Sequence, residues 1–198
     1  DTDPAGANTY TLGTASSQTI TVKGNLRFGA GPALSTAVIN ASTYNPGIAL
    51  NGNLNLASCL KQEACSNQMT YTKGTGTLTL SPTGTKTITD SNSTTQDLGI
   101  ISITGGASTP QINLGSNVTA KSITNDVSHT LSLNGSNTLT LTDTGVALSL
   151  AGTFTPSTGT VSYIGTTTAV TVSGSASGIT SYYNLSVGSS SATTTYTL

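Results

Sequence analysis

Asp126 and His129, in the stretch TNDVSHT at 124–130, are the only acid–imidazole neighbours in the chain. Together with Ser128 or Ser132 they supply the residue types of a nucleophile–base–carboxylate relay, in which a carboxylate orients the imidazole that activates a hydroxyl. Such a relay needs three aligned groups, and near neighbours on one tight turn rarely align. No G-x-S-x-G elbow surrounds either serine. The stretch reads instead as a polar turn between Ile123 and Leu131. A second oxygen-rich stretch, DSNSTTQD at 90–97, offers Asp90, Asn92 and Asp97 as ligands. A calcium loop takes more carboxylates and a glycine at its sharp turn, so this too reads as a strand-connecting turn. Cys59 and Cys65 are the only cysteines. Two thiolates cannot complete a zinc site, and His129 lies far along the chain. The pair reads as a disulfide, Cys59–Cys65, closing a surface loop in an oxidising compartment, the alternative being two free thiols on a cytosolic loop. The expectation is therefore no catalytic residue, no metal and no cofactor.

Weaker candidates are binding surfaces. Tyr182 and Tyr183 are adjacent, so on a strand they point to opposite faces and cannot form one platform for a sugar ring. Tyr182 is expected in the core and Tyr183 at the surface. The stretches TGTLTL, TKTITD and NTLTLTD contain the T-x-T pattern of an ice-binding face, but their spacing along the chain is irregular. Sequons at Asn40, Asn92, Asn117, Asn134 and Asn184 arise easily in a chain this rich in Asn, Ser and Thr.

Whatever these residues do, short β-strands must position them. The 198 residues carry 7 % charged side chains and a net charge of −1, with no Trp and two Phe. About a third are Ser or Thr, and Thr, Val and Ile alternate with polar residues as half-buried strands require. No basic patch exists to neutralise phosphates, so nucleic acid is not an expected partner. No apolar run approaches the ~18 residues that span a bilayer, so no membrane insertion is expected. Residues 1–9 are polar and read as a processed or trimmed start.

The phrase MTYTKGTGTLTLSP at 69–82 has the rhythm of GTFTPSTGTVSYIG at 152–165. Tyr71 and Phe154 are 83 residues apart, as are Gly76 and Gly159, and Asn51-Gly52 and Asn134-Gly135. Past one inserted residue, Leu98 falls on Tyr182, Ile103 on Val187 and Leu114 on Leu198. These matches describe two diverged units of about 83 residues. They divide the chain into leading strands at 1–30, a first unit at 31–114 containing the cysteine loop 57–68, and a second unit at 115–198. Helical periodicity is absent, so the chain is expected to be all-β. The favoured architecture is a parallel β-solenoid with a narrow aliphatic core. The alternative is a pair of β-sandwich domains, or a jelly roll with strand exchange, which the Asn-Gly pairs favour as hairpin turns.

GTFTPSTGTVSYIG with TVSGSASGITSYYNLSV, and TITVKGNLRFG at 19–29 with IALNGNLNLA at 48–57, resemble the β-helical repeats of large bacterial surface and adhesin-like proteins. That resemblance implies stalks secreted or anchored outside the cell, with structural or adhesive roles. The function expected is thus a non-enzymatic extracellular segment of a surface filament, stalk or adhesin. The alternative is a ligand-binding module, for glycans or for ice. Finally, the closing TTTYTL echoes the opening ANTYTL, and neither end carries an evident cap. Uncapped strand edges invite pairing. Tyr10, Thr11 and Leu12 are therefore expected to join Tyr196, Thr197 and Leu198 of another copy, or of adjoining segments of a longer chain.

Overall fold

A computed structural model of the chain describes residues 8–29, 37–57, 69–105, 109–165, 169–189 and 195–197. It is a parallel β-solenoid whose coils lay their short strands on three faces. The first face holds β1 (Asn8–Thr11), β4 (Ala37–Asn40) and β7 (Met69–Thr72), then β12 (Val118–Ala120), β15 (Thr138–Leu141), β18 (Thr160–Gly165) and β20 (Asn184–Ser189). The second holds β2 (Thr19–Val22), β5 (Gly47–Leu50), β8 (Thr77–Leu80), β10 (Ile100–Ile103), β13 (Ser122–Asn125) and β16 (Leu148–Leu150). The third holds β3 (Leu26–Gly29), β6 (Leu54–Ala57), β9 (Lys86–Asp90), β11 (Gln111–Leu114), β14 (Thr130–Ser132) and β17 (Thr153–Thr155). The two six-stranded faces count six turns. A last pair, β19 (Ala169–Thr171) with β21 (Thr195–Thr197), follows the second face through a parallel bridge from Val146 to Thr171.

Alternation within each strand makes the core. Successive side chains point to opposite faces of a strand, so the aliphatic member of each pair stacks on its counterpart one coil away. Along the second face Ile20, Ile48, Leu78, Ile101, Ile123 and Leu148 stand in one register. On the third, Leu26, Leu54, Ile88 and Leu114 do the same. Each fully buried aliphatic side chain stabilises the fold by roughly 1.5–3 kcal/mol. Small aliphatic residues suffice because the lumen is one side chain deep from each face.

Corners must satisfy backbone groups that no ladder reaches, and asparagines do much of this. Asn25 Oδ1 accepts from the Asn53 N–H at 2.9 Å, and Asn53 Oδ1 accepts from the Thr87 N–H at 2.9 Å. Asn117 serves Thr138 at 2.8 Å in the same way. Glycine is needed where coils touch: a Cβ on Gly76 would lie 2.1 Å from the Pro46 carbonyl oxygen.

The all-β solenoid expectation holds, and the sandwich alternative does not, because every strand pairing among the described residues is parallel. The Asn-Gly pairs are corners and not hairpins. Asn134 and Gly135 take φ values of 50° and 96°, which a corner between faces uses as readily as a hairpin does. The expected positional equivalences are not kept. Tyr71 lies on the first face and Phe154 on the third, while Ile103 is buried and Val187 is 37 % exposed. Among the described residues the coil recurs six times along the second and third faces.

Candidate functional site

The polar turn at 125–132 is a corner joining the second and third faces. His129 is buried. Its Nε2 lies 2.7 Å from the Gly105 carbonyl oxygen, which can only accept, so Nε2 carries the proton. Nδ1 then accepts from Ser128 Oγ at 3.3 Å. Asp126 is turned away from this axis and accepts from the Thr104 hydroxyl and, at 3.4 Å, from the Gly105 N–H. The Thr104 hydroxyl, with lesser help from that N–H and from His129, holds the Asp126 carboxyl below its ordinary range. Ser132 Oγ accepts from the Asn134 N–H at 3.2 Å. Asn125 fastens the corner, donating to the His129 carbonyl at 3.0 Å and accepting from the Gly152 N–H at 2.9 Å. These groups bolt one coil to the next, and the hydroxyl, imidazole and carboxylate do not line up as a relay.

The stretch 90–97 has a different task. Between β7 and β12 the first face lacks a regular strand, and the segment bridges there only through Asp97 and Thr119. Side chains replace the missing rung: Asn92 Oδ1 accepts from the Met69 N–H at 3.1 Å and Gln96 Oε1 from the Tyr71 N–H at 2.8 Å. Asp90 organises them, its two oxygens accepting from the Asn92 N–H and side-chain amide and from the Gln96 N–H. Asp97 pairs with Lys73 and accepts from the Gly99 N–H at 2.9 Å. Among the described residues no three His, Cys, Asp or Glu side chains come together as a metal would require. Cys59, Cys65 and the loop around them lie outside the described residues.

Aromatic groups concentrate near the two ends. Tyr71 stacks on Phe28 with ring centroids 5.9 Å apart. Burial, with the Asp97 charge adding to it, pushes the Tyr71 hydroxyl up to about 12. At the other end Tyr182 donates to the Ser173 carbonyl and lies 2.8 Å from the Tyr163 hydroxyl, which in turn accepts from the Ser173 N–H. Burial first, and then Tyr163, raise the Tyr182 hydroxyl far above its usual value. Tyr182 also meets Phe154 edge to face, and Ile179 is buried. A one-turn 3₁₀ helix, Ser175–Ser177, packs on β16. Residues 172–182 thus lie over β16 and β17, where the sequence shows no evident cap. As expected, Tyr182 packs on the core and Tyr183 is 63 % exposed.

Elsewhere the ends are open. Among the described residues β1, β2 and β3 pair on one side only, and so do β20 and β21. The inward rows continue into β1, β2, β3 and β20 and lose their cover. Tyr10, in register with buried Ile39, is 53 % exposed; Leu12, Ile20, Val22, Leu26 and Phe28 are only partly buried. Leu185 and Val187, in register with buried Val161 and Tyr163, are 42 % and 37 % exposed. Of the sequence-derived edge residues, Tyr10 and Thr11 lie on β1, Leu12 directly after it, and Tyr196 and Thr197 on β21; Leu198 lies outside the described residues. β1 belongs to the first face and β21 follows the second, so these two stretches do not share a face. Sequence reasoning missed Leu185 and Val187, although the alternation NLSV repeats that of TVSY at 160–163. Comparison of the chain with protein-family models, with curated proteins and with solved structures finds no match.

Proposed function

We propose that the chain is a non-enzymatic structural segment of an extracellular filament, stalk or adhesin, joined end to end through strand edges to another copy or to adjoining coils. One observation carries this reading: the apolar rows of the lumen run into both terminal coils and become solvent-exposed there, at Tyr10, Leu185 and Val187. Proteins normally blunt an open sheet edge with charge. Of the open strands, β1, β2, β20 and β21 carry no charged residue, and β3 carries Arg27. The low charge of the chain and the close cysteine pair support a place outside the cell. Electron microscopy and sedimentation of the purified chain over a range of concentrations test the reading. Association that grows with concentration into rods of coil diameter is the expected result; a monomer at every concentration is the opposite one.

The ligand-binding alternative has one feature in its favour. Parallel stacking brings Thr21, Ala49, Thr79, Ser102, Thr124 and Ser149 into one outward row despite their irregular spacing in sequence. The neighbouring row is broken by Gly47, Ile100 and Ala147, which weighs against an ordered hydroxyl lattice. A thermal-hysteresis measurement separates the two readings.

A further inference from the structure

We infer that Asn134 is a site of spontaneous covalent modification: its side-chain amide closes on the Gly135 nitrogen, and the corner ages to aspartate and isoaspartate. This chemistry needs only the corner and is independent of any end-to-end association. Asn-Gly is the dipeptide in which the closure is least hindered, because glycine brings no Cβ against the incoming side chain. The chain has two such pairs, Asn51-Gly52 and Asn134-Gly135. In neither does the glycine N–H meet an acceptor among the described residues, so packing decides between them.

Asn51-Gly52 is locked in place. Both residues are half-buried, and a Cβ on Gly52 would lie 2.3 Å from the Gly24 carbonyl oxygen. Directly after them, Asn25 Oδ1 holds the Asn53 N–H at 2.9 Å. Asn134-Gly135, between β14 and β15, is exposed, and a Cβ on Gly135 would meet no heavy atom within 4 Å. Asn134 also sits at a φ of 50°, a conformation that is costly for a residue with a Cβ. The bonds that restrain this pair are long. The Asn134 N–H reaches Ser132 Oγ at 3.2 Å, the Thr158 N–H reaches the Gly135 carbonyl at 3.2 Å, and Asn137 Nδ2 reaches the Asn134 carbonyl at 3.1 Å. The leaving group, Asn134 Nδ2, has only the Leu114 carbonyl at 3.4 Å. In the reaction a solvent base takes the Gly135 N–H proton. The nitrogen bonds to Cγ, the Cγ–Nδ2 bond breaks, and Nδ2 leaves as ammonia with a solvent proton. Water then opens the cyclic imide. Attack at Cγ gives an ordinary aspartate; attack at the main-chain carbonyl leaves the chain running through the side chain. Either product adds a negative charge to a chain whose net charge is −1. The second also moves the Asn134 carbonyl away from Asn137 Nδ2, which ties this corner to the Leu133 and Leu114 carbonyls.

Incubating the purified chain in mildly alkaline buffer, with and without denaturant, tests the site by peptide mapping that separates aspartate from isoaspartate. The denatured chain sets the clock, since there both pairs are freed and are expected to convert at the same pace. By the time it has lost most of both amides, the folded chain is expected to carry isoaspartate at 134 and an intact amide at Asn51. The two folded sites are expected to differ in rate by about tenfold or more, the factor that a barrier difference of ~1.4 kcal/mol supplies. Asn134→Gln is expected to remove the acidic species that accumulates on ion exchange, with an unchanged circular dichroism spectrum. If that variant loses the spectrum, the site-resolved rates of the unaltered chain carry the test alone. Asn51 converting as fast as Asn134 in the folded chain overturns the selection by packing. An amide kept at Asn134 in the folded chain, or at both pairs even in denaturant, overturns the site itself.

Discussion

Tyr71 and Tyr182 bury hydroxyls whose ionised forms the lumen cannot solvate, and this fixes the direction of a pH effect. An unfolded tyrosine ionises near 10.0, whereas folded Tyr71 does so at about 12. A raised pKa favours the protonated folded form, so the contribution is complete below the unfolded value and is lost as pH rises toward the folded one. Denaturant titrations between about pH 9 and about pH 12 are expected to show stability falling across that window. Tyr71→Phe is expected to flatten part of the fall; an unchanged slope would contradict it. At the corner, Asn125→Ala removes the acceptor for the Gly152 N–H. Stranding a buried donor costs about 1–3 kcal/mol, to be read as a lower denaturation midpoint at unchanged slope. The sequence showed that the residues around His129 form a polar turn. It could not show that Nε2 seeks the carbonyl of Gly105, because that contact depends on which coil lies above.

Strands were the most legible elements, since alternation of Thr with Ile, Leu or Val is itself the signature of a half-buried strand. Corners were legible as turns but not as corners. Asn-Gly reports a chain reversal or bend that needs positive φ, and Asn134 at 50° and Gly135 at 96° supply it without any antiparallel partner. The segment over β16 is not legible as a cap for a related reason: TVSGSASGITSYYN has no helical period, and its 3₁₀ turn is only three residues long. Gly178 closes that turn at φ 79°, where an added Cβ would stand 1.7 Å from the Leu150 carbonyl oxygen. Gly178→Ala is therefore expected to lift the segment from β16 and destabilise the chain by roughly 1–3 kcal/mol. A thermal melt reads the loss; a melting temperature equal to that of the unaltered chain would show that the cap contributes nothing.

For the whole molecule, the register between coils was the least legible property, because corner lengths vary. Lys121 alone separates β12 from β13, whereas seven residues, 12–18, separate β1 from β2. An offset of about 83 residues then carries a side chain from one face to another, as it does from Tyr71 to Phe154. One expectation remains at this scale: intact-mass analysis without reductant should find Cys59 and Cys65 joined, and two free thiols would remove the argument for an oxidising location. The substituted rung between β7 and β12 has a mechanical consequence. Hydrogen bonds between parallel strands lie nearly along the solenoid axis, so tension between the two ends peels coils apart one at a time instead of shearing many bonds together. On the first face, the coil held by the Asn92 and Gln96 amides in place of a backbone ladder is where a pulled rod gives way first. A force-extension trace should therefore show an early, low-force step that Gln96→Ala lowers further, before the remaining coils unwind.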